Sequence, residues 1–122
     1  MRSGIAYKQG TIVLIPFPFT DLTGQKRRPA LIISPDWYNN NYSDVVLSAI
    51  TSFIPEDSLK QDNIICKISS EDMETGKMPL KSIVKITKIF TCEKTIIEKS
   101  VAQLKKPKIS EVLEKLKRFF CC

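Results

Sequence analysis

The stretch TGQKRRPALIISP, residues 23–35, sets three consecutive cations directly before a proline and a short apolar run. The run at residues 30–34, ALIIS, predicts a buried β-strand. Arg28 precedes Pro29, and a residue before proline is biased towards an extended backbone. Neighbouring cations repel one another, so this turn is either a solvated loop or a place where an anion binds.

Further strand patterns lie on both sides of this stretch. Residues 11–15, TIVLI, are rich in β-branched side chains and predict the first strand. Pro16 and Pro18 end it, because proline cannot donate to a ladder. Three more strands and an edge strand are predicted at residues 44–53, 63–69, 80–91 and 101–104.

One clear helix is predicted at the C-terminal end of the chain. Pro107 and Ser110 open it, with Ser110 as a good N-cap. Its apolar side chains recur at helical spacing and form one apolar face: Val112, Leu113, Leu116, Phe119 and Phe120. A single helical turn is also expected within residues 35–41, and another within 70–76 that Gly76 closes.

These elements fit a single small domain over residues 1–122. Five or six short strands with a terminal helix predict a mainly β fold, a compact and mostly antiparallel barrel covered by the helix. No apolar run approaches the ~20 residues that span a bilayer, and residues 1–15 lack the apolar core of a signal peptide. We therefore expect a soluble, cytoplasmic protein that contacts no membrane.

The charge and the missing histidine restrict the chemistry. The formal net charge is +6, which favours a polyanion such as nucleic acid, or an acidic protein, as partner. The chain has no histidine, so any acid–base step near neutral pH must use other side chains.

The four cysteines include no CxxC pair. Without a CxxC pair or a histidine, we expect no metal site and no cofactor. Cys66 and Cys92 lie in apolar, strand-like runs and are expected to act as small hydrophobic residues. The sequence assigns no role to Cys121 and Cys122.

Residues 10–24, GTIVLIPFPFTDLTG, followed by residues 28–34, RPALIIS, resemble the opening of the MazF/PemK/Kid family of toxins from toxin–antitoxin pairs. Residues 34–40, 49–52 and 82–87 resemble later segments of the family, in the same order along the chain. The likeness extends over roughly residues 8–120. It implies an SH3-like antiparallel barrel of the PemK/CcdB-like type, closed by a C-terminal helix and assembled as a homodimer.

The resemblance also implies an activity and a partner. It implies a ribosome-independent, metal-independent and sequence-specific endoribonuclease that cuts single-stranded RNA to 2′,3′-cyclic phosphate and 5′-OH ends, which inhibits translation and growth. It implies a cognate acidic antitoxin. Two other interpretations stay open: a toxin of the same fold that binds DNA gyrase through its C-terminal helix, and a family member that binds RNA without cutting it.

Arg28 matches the family's catalytic arginine before proline, and Thr51 matches its catalytic threonine. A guanidinium suits the negative charge that gathers on the non-bridging phosphate oxygens, and a hydroxyl suits donation to phosphate or a proton relay. Without the family, Arg28 is equally a surface arginine and Thr51 an ordinary β-branched strand residue. RNA-binding roles are expected for Gln25, Lys26, Arg27, Ser52 and Lys85.

Four aromatic side chains are further candidates, because single-strand binders stack bases on aromatic rings: Phe17, Phe19, Trp37 and Tyr38. For Phe17 and Trp37 a place in the core or in a dimer interface is the favoured interpretation.

The sequence departs from the family at two places. The first loop reads DLTGQKR at residues 21–27, where many members carry Gly-Ser-Glu-Gln. Thr87, Lys88 and Phe90 stand where many members carry an Asp-Gln pair followed by an arginine. No carboxylate base is therefore carried over from that strand, and the cleavage motif is not carried over either.

Overall fold

The computed structural model describes residues 6–16, 27–51, 63–78 and 81–121. Its strands are β1 Thr11–Pro16, β2 Arg27–Ile32, β3 Asp44–Thr51, β4 Ile65–Ile68, β5 Met73–Gly76, β6 Ser82–Glu93 and β7 Lys99–Leu104. Its α-helices are α1 Asp36–Asn41 and α2 Lys106–Phe120, and single 3₁₀ turns lie at Ser70–Asp72 and Lys94–Ile96. No helix among these residues is long and apolar enough to cross a membrane.

The seven described strands form one antiparallel sheet in the order β4-β6-β3-β2-β1-β7-β5. β6 bends sharply, because it advances five residues, from Val84 to Ile89, while its partner β3 moves only from Ile50 to Ser48. Extra residues in one strand increase its local twist and curl the sheet. The result is an antiparallel half-barrel, and the prediction of a mainly β fold with a C-terminal helix is confirmed.

Both faces of the sheet bury apolar side chains, as alternation along the strands requires. The helix-side core includes Ile12, Leu31, Ile50, Cys66, Val84, Ile86 and Leu104, with Val112 and Leu116 of α2. The far-side core contains Tyr7, Val13, Ile15, Ala30, Ile32, Val45, Leu47 and Ile97. Cys66 is fully buried in the first core, and Cys92 packs against the second, so both act as small hydrophobic residues.

The strand predictions are confirmed in their places but not in all their ends. β2 begins at Arg27, three residues before the predicted start at residue 30, because Arg27 and Arg28 extend the ladder with β1. The predictions at residues 44–53, 63–69 and 80–91 correspond to β3, β4 and β6.

The prediction that residues 101–104 form an edge strand is wrong. β7 pairs with β1 on one side and with β5 on the other. The sequence pattern missed β5, because its METG segment is short and three of its four residues are exposed. An exposed strand at the sheet margin carries little apolar periodicity.

Gly76 ends β5 rather than a helical turn, which corrects a second prediction. The 3₁₀ turn stops at Asp72 and the chain then extends. Gly76 has φ +77°, and a Cβ there would lie 2.1 Å from the carbonyl oxygen of Val101. Glycine is therefore required by the close approach of β7 and by the left-handed backbone.

The C-terminal helix differs from its prediction at both ends. It begins at Lys106, with Pro107 in its first turn where no backbone donor is needed, so Ser110 lies inside the helix and is not its cap. The N–H of Lys105 donates to the carbonyl of Asp72 at 2.8 Å and holds this start. Phe119 and Phe120 are 48% and 66% exposed, so the predicted apolar face is not buried in the last turn of the helix.

A buried amide joins α1 to the sheet. Asn39, 1% exposed, donates through Nδ2 to the carbonyls of Tyr7 (2.9 Å) and Ser34 (3.0 Å). Its Oδ1 accepts from the Ser34 hydroxyl at 2.5 Å. The expected helical turn after β2 is thus present as α1, and a polar network fixes it.

Candidate functional site

Arg28 and Thr51 lie on neighbouring strands. The pairing of β2 with β3 runs from Ile32–Leu47 to Ala30–Ala49, and the same register extended by two residues would set Arg28 opposite Thr51. In a regular antiparallel ladder, opposed residues project to the same face with Cα atoms about 5 Å apart. Both side chains belong by this alternation to the face of the far-side core.

One donor of the Arg28 guanidinium is buried without a partner among the described residues. Arg28 sits opposite Ile15 of β1, and its Nε is buried without a hydrogen-bond partner in the described part of the chain. A buried donor left unpaired costs about 1–3 kcal/mol. An anion at this position would remove that cost, so the local structure favours anion binding at Arg28.

Lys85 lies on the same face of the sheet. Thr51 is opposite Ile83 of β6, and Lys85 follows Ile83 by two residues, so the alternation returns it to that face. Its side chain is exposed. The structure therefore brings Arg28, Thr51 and Lys85 to one surface, although they are far apart along the chain.

Lys67 shares this surface and was missed by the sequence reasoning. It is opposite Ile83 on the other side of β6 and is exposed. The sequence does contain a sign of this exposure. Lys67 interrupts the apolar run of β4 at a position where period-2 alternation points the side chain outward.

Arg27 is separated from Arg28 by the strand alternation. It pairs with Pro16 on β1 and projects from the opposite face, where its Nε donates to the Glu98 carboxylate. Its charge is thus partly neutralised within the chain.

Gln25, Lys26 and Ser52, expected to bind RNA, lie outside the described residues, as do Phe17 and Phe19.

The aromatic side chains of α1 form an exposed group near the start of β3. Trp37 is 65% exposed, so the core interpretation of this residue is wrong. Tyr38 stacks on Tyr42 with ring centroids 4.6 Å apart and donates to Asp44 at 2.7 Å. This hydrogen bond raises the pKa of the Tyr38 hydroxyl, which makes it a weaker acid.

Three residues that depart from the family pattern, Thr87, Lys88 and Phe90, lie in and after the bend of β6. Thr87 is partly buried and Lys88 is exposed, while Phe90 packs against the far-side core. Phe90 thus has a packing role in this chain.

The charged groups of α2 form a separate cluster on the helix side. Glu111 accepts from Lys108 at 3.0 Å and contacts Lys115 at 3.8 Å. The thiol of Cys66 lies 3.4 Å from the same carboxylate. Burial, followed by the nearby Glu111 charge, raises the pKa of Cys66 to about 12, so this thiol is a poor nucleophile.

The sequence and the fold both match known toxins. A family model described as PemK-like, MazF-like toxin of type II toxin-antitoxin system matches residues 8–120. No curated protein matches the chain significantly.

Three solved structures give the structural likeness. A MazE–MazF complex from Deinococcus radiodurans (Form-III) has a TM-score of 0.72 at 19% identity, over 95% of this chain and 97% of that one. An endoribonuclease in complex with its cognate antitoxin, from a mycobacterial species, has 0.70 at 16% identity, over 94% and 93%. The Mycobacterium tuberculosis toxin MazF-mt6 has 0.68 at 14% identity, over 90% and 95%. At these low sequence identities, the structural likeness shows a shared fold alone.

Proposed function

Because the chain belongs to the PemK-like, MazF-like toxins of type II toxin–antitoxin systems, we propose that it is an endoribonuclease that cuts single-stranded RNA at short sequence motifs. Cleavage leaves 2′,3′-cyclic phosphate and 5′-OH ends and needs neither a ribosome nor a metal. Cutting messenger RNA in the cytoplasm then stops translation and growth.

Two observations support this proposal most: Arg28 and Thr51 lie on paired neighbouring strands, and the buried Nε of Arg28 has no hydrogen-bond partner among the described residues. In the proposed reaction the 2′-oxygen attacks the adjacent phosphorus, and the bond from phosphorus to the 5′-oxygen breaks. The 2′-OH loses its proton, and the leaving 5′-oxygen gains one. Negative charge grows on the non-bridging oxygens, where a fixed guanidinium stabilises it more than it stabilises the ground state.

Thr51 and Lys85 take supporting roles in this proposal. The Thr51 hydroxyl donates to a phosphate oxygen or relays the proton of the 2′-OH. Lys85 lowers the local negative potential of the bound strand. Gln25, Lys26 and Ser52 are proposed as further RNA contacts from the segments around the pair, whereas Arg27 projects from the opposite face and is bound to Glu98.

We also propose two protein partners. A net charge of +6 suits a cognate antitoxin with an acidic segment, since opposite potentials favour association. The second partner is another copy of this chain, in a homodimer. Neighbours of the same fold include toxins solved with their antitoxins.

The test uses a long single-stranded RNA in EDTA, with wild-type protein, Arg28→Ala and Arg118→Ala. Arg118 is an exposed arginine of α2, so its loss changes net charge equally but away from the site. We expect cyclic-phosphate ends from wild type and Arg118→Ala, and a rate at least about 10²-fold lower for Arg28→Ala. Cleavage that survives Arg28→Ala refutes the assigned site.

Measuring the binding of wild-type protein to RNA and to a gyrase subunit, beside the cleavage assay, separates the alternatives. If wild-type protein leaves RNA intact but binds it, the RNA-binding interpretation is favoured. If it leaves RNA intact and binds a gyrase subunit instead, the gyrase-directed interpretation is favoured.

A further inference from the structure

A row of opposed residues crosses the sheet and ends at a lysine. Thr51 of β3 is opposite Ile83 of β6, and Ile83 is opposite Lys67 of β4. Extending the β2–β3 register by two residues beyond Ala30–Ala49 adds Arg28 of β2 to this row. Residues directly opposite one another project to the same face. Lys67 therefore faces the same side as Arg28, three strands away.

Lys85 is the nearest described cation to Lys67 on this face. Lys67 is opposite Ile83 and Lys85 is opposite Ile65, so the two lysines are diagonal neighbours about 7–8 Å apart. Both are exposed, and like charges at this separation repel. In the described part of the chain, no carboxylate forms an ion pair with either lysine.

The cations of α2 behave differently. Lys108, Lys115 and Arg118 each contact a carboxylate of their own helix at 3.0, 3.8 and 3.4 Å. Three cations of α2 are thus partly neutralised within their own helix, although α2 keeps a net charge of +3 from five cations and two carboxylates. In the described part of the chain, Lys67 and Lys85 have no such neutralising contact.

The distance between Lys67 and Arg28 bears on whether they bind the same phosphate group. Neighbouring strands lie about 4.8 Å apart, so three spacings place Lys67 about 14 Å from Arg28 along the sheet. At this separation, Lys67 and Arg28 can each hold a different phosphate group of one RNA strand.

We propose that Lys67, with Lys85 beside it, binds a second backbone phosphate of the same RNA strand whose scissile phosphate lies at Arg28 and Thr51. This inference rests on the proposed function. Lys67 is then a positioning residue that holds the strand without touching the reacting atoms.

The probe is a fluorescein-labelled, mixed-sequence 2′-O-methyl RNA of about 16 nucleotides, which lacks the attacking 2′-OH and cannot be cut by this route. Anisotropy gives its affinity between about 50 and 200 mM KCl. The variants are Lys67→Ala, Lys67→Arg and Lys117→Ala. Lys117 is an exposed lysine of α2 and is the matched control for charge.

We expect Lys67→Ala to reduce the slope of log affinity against log salt by about 0.7, the value for one single-strand phosphate contact, and to weaken binding about fivefold at 0.1 M salt. Lys67→Arg retains the slope, because it keeps the charge. Lys117→Ala keeps the wild-type slope. If Lys67→Ala and Lys117→Ala have equal slopes, or if wild-type protein does not bind the probe, the inference is overturned.

Cleavage of ordinary RNA is measured beside binding, so the two proposals fail separately. Wild-type cleavage with an unchanged slope in Lys67→Ala refutes the second phosphate contact and leaves the endoribonuclease. A reduced slope in Lys67→Ala, without any cleavage by wild type, supports the contact and refutes the endoribonuclease.

Discussion

Replacing Asn39 by alanine is expected to destabilise the fold strongly, although the same change at Asn40 is harmless. Asn39 is 1% exposed and joins the segment before β1, the end of β2 and helix α1. Asn40 is exposed on the same helix. The two substitutions are chemically identical, so the difference between them reports the buried network alone.

The magnitude follows from the groups that lose a partner. Asn39→Ala removes the donors to the carbonyls of Tyr7 and Ser34, and each buried acceptor left unpaired costs about 1–3 kcal/mol. The Ser34 hydroxyl still accepts from the N–H of Val46 at 3.0 Å. Alanine regains about 0.5 kcal/mol through its helix propensity. We expect a net loss of about 3 kcal/mol, a large part of the 5–15 kcal/mol of a typical domain.

The assay is equilibrium unfolding in urea, followed by circular dichroism, with wild type, Asn39→Ala and Asn40→Ala. Protein concentration is held constant, because the stability of an oligomer depends on it. Asn39→Ala should also lower the melting temperature by about 10 °C. Asn40→Ala should stay within about 0.5 kcal/mol of wild type.

Asn39→Asp gives an independent check. It keeps the shape of the side chain but replaces the Nδ2 donor by an oxygen that faces two carbonyls. It should be as destabilising as Asn39→Ala at neutral pH, and partly recover in acid when the carboxyl regains a donor. Equal stabilities of Asn39→Ala and Asn40→Ala would refute the reasoning, since the network would then contribute nothing.

Two further predictions concern α2. Leu116→Ala should cost about 2–5 kcal/mol, because Leu116 is buried in the helix-side core, whereas Phe120→Ala should cost less than about 0.5 kcal/mol in urea unfolding; an equal cost would show that another surface covers Phe120. Burial of Glu111 opposes its ionisation, but hydrogen bonds from Lys108 and Cys66 outweigh it and lower its pKa below the usual 4.5. Its contribution to stability is thus complete above about pH 5 and lost as pH falls through the lowered pKa, so Glu111→Gln should approach wild-type stability on acidification; a gap independent of pH would contradict this.

Several features of the fold were readable from the sequence because they depend on local interactions. The β-branched run TIVLI predicted β1, and Pro29 predicted an extended backbone at Arg28. The helical spacing of Val112 and Leu116 identified the face of α2 that is buried. Motifs in order along the chain indicated the toxin family, which the family model matches.

The errors occurred where neighbours distant in sequence decide the outcome. β5 has little apolar pattern and exists because β7 offers it a partner. Ser110 looked like an N-cap, but the bond from Lys105 to Asp72 starts the helix earlier. Phe120 continues the apolar face of α2 in the sequence, yet it is 66% exposed.

The sequence by itself determined the residue types of the candidate site, and only the tertiary structure decided which of them share a surface. Arg27 and Arg28 are adjacent in the chain, yet alternation sends Arg27 to Glu98 and Arg28 to the face of Thr51. Lys67 joins that face through the pairing of β4 with β6. The strand register sets these neighbours. Burial of apolar side chains on both faces of the sheet fixes that register, because a shift of one residue would turn every side chain of a strand to the wrong face.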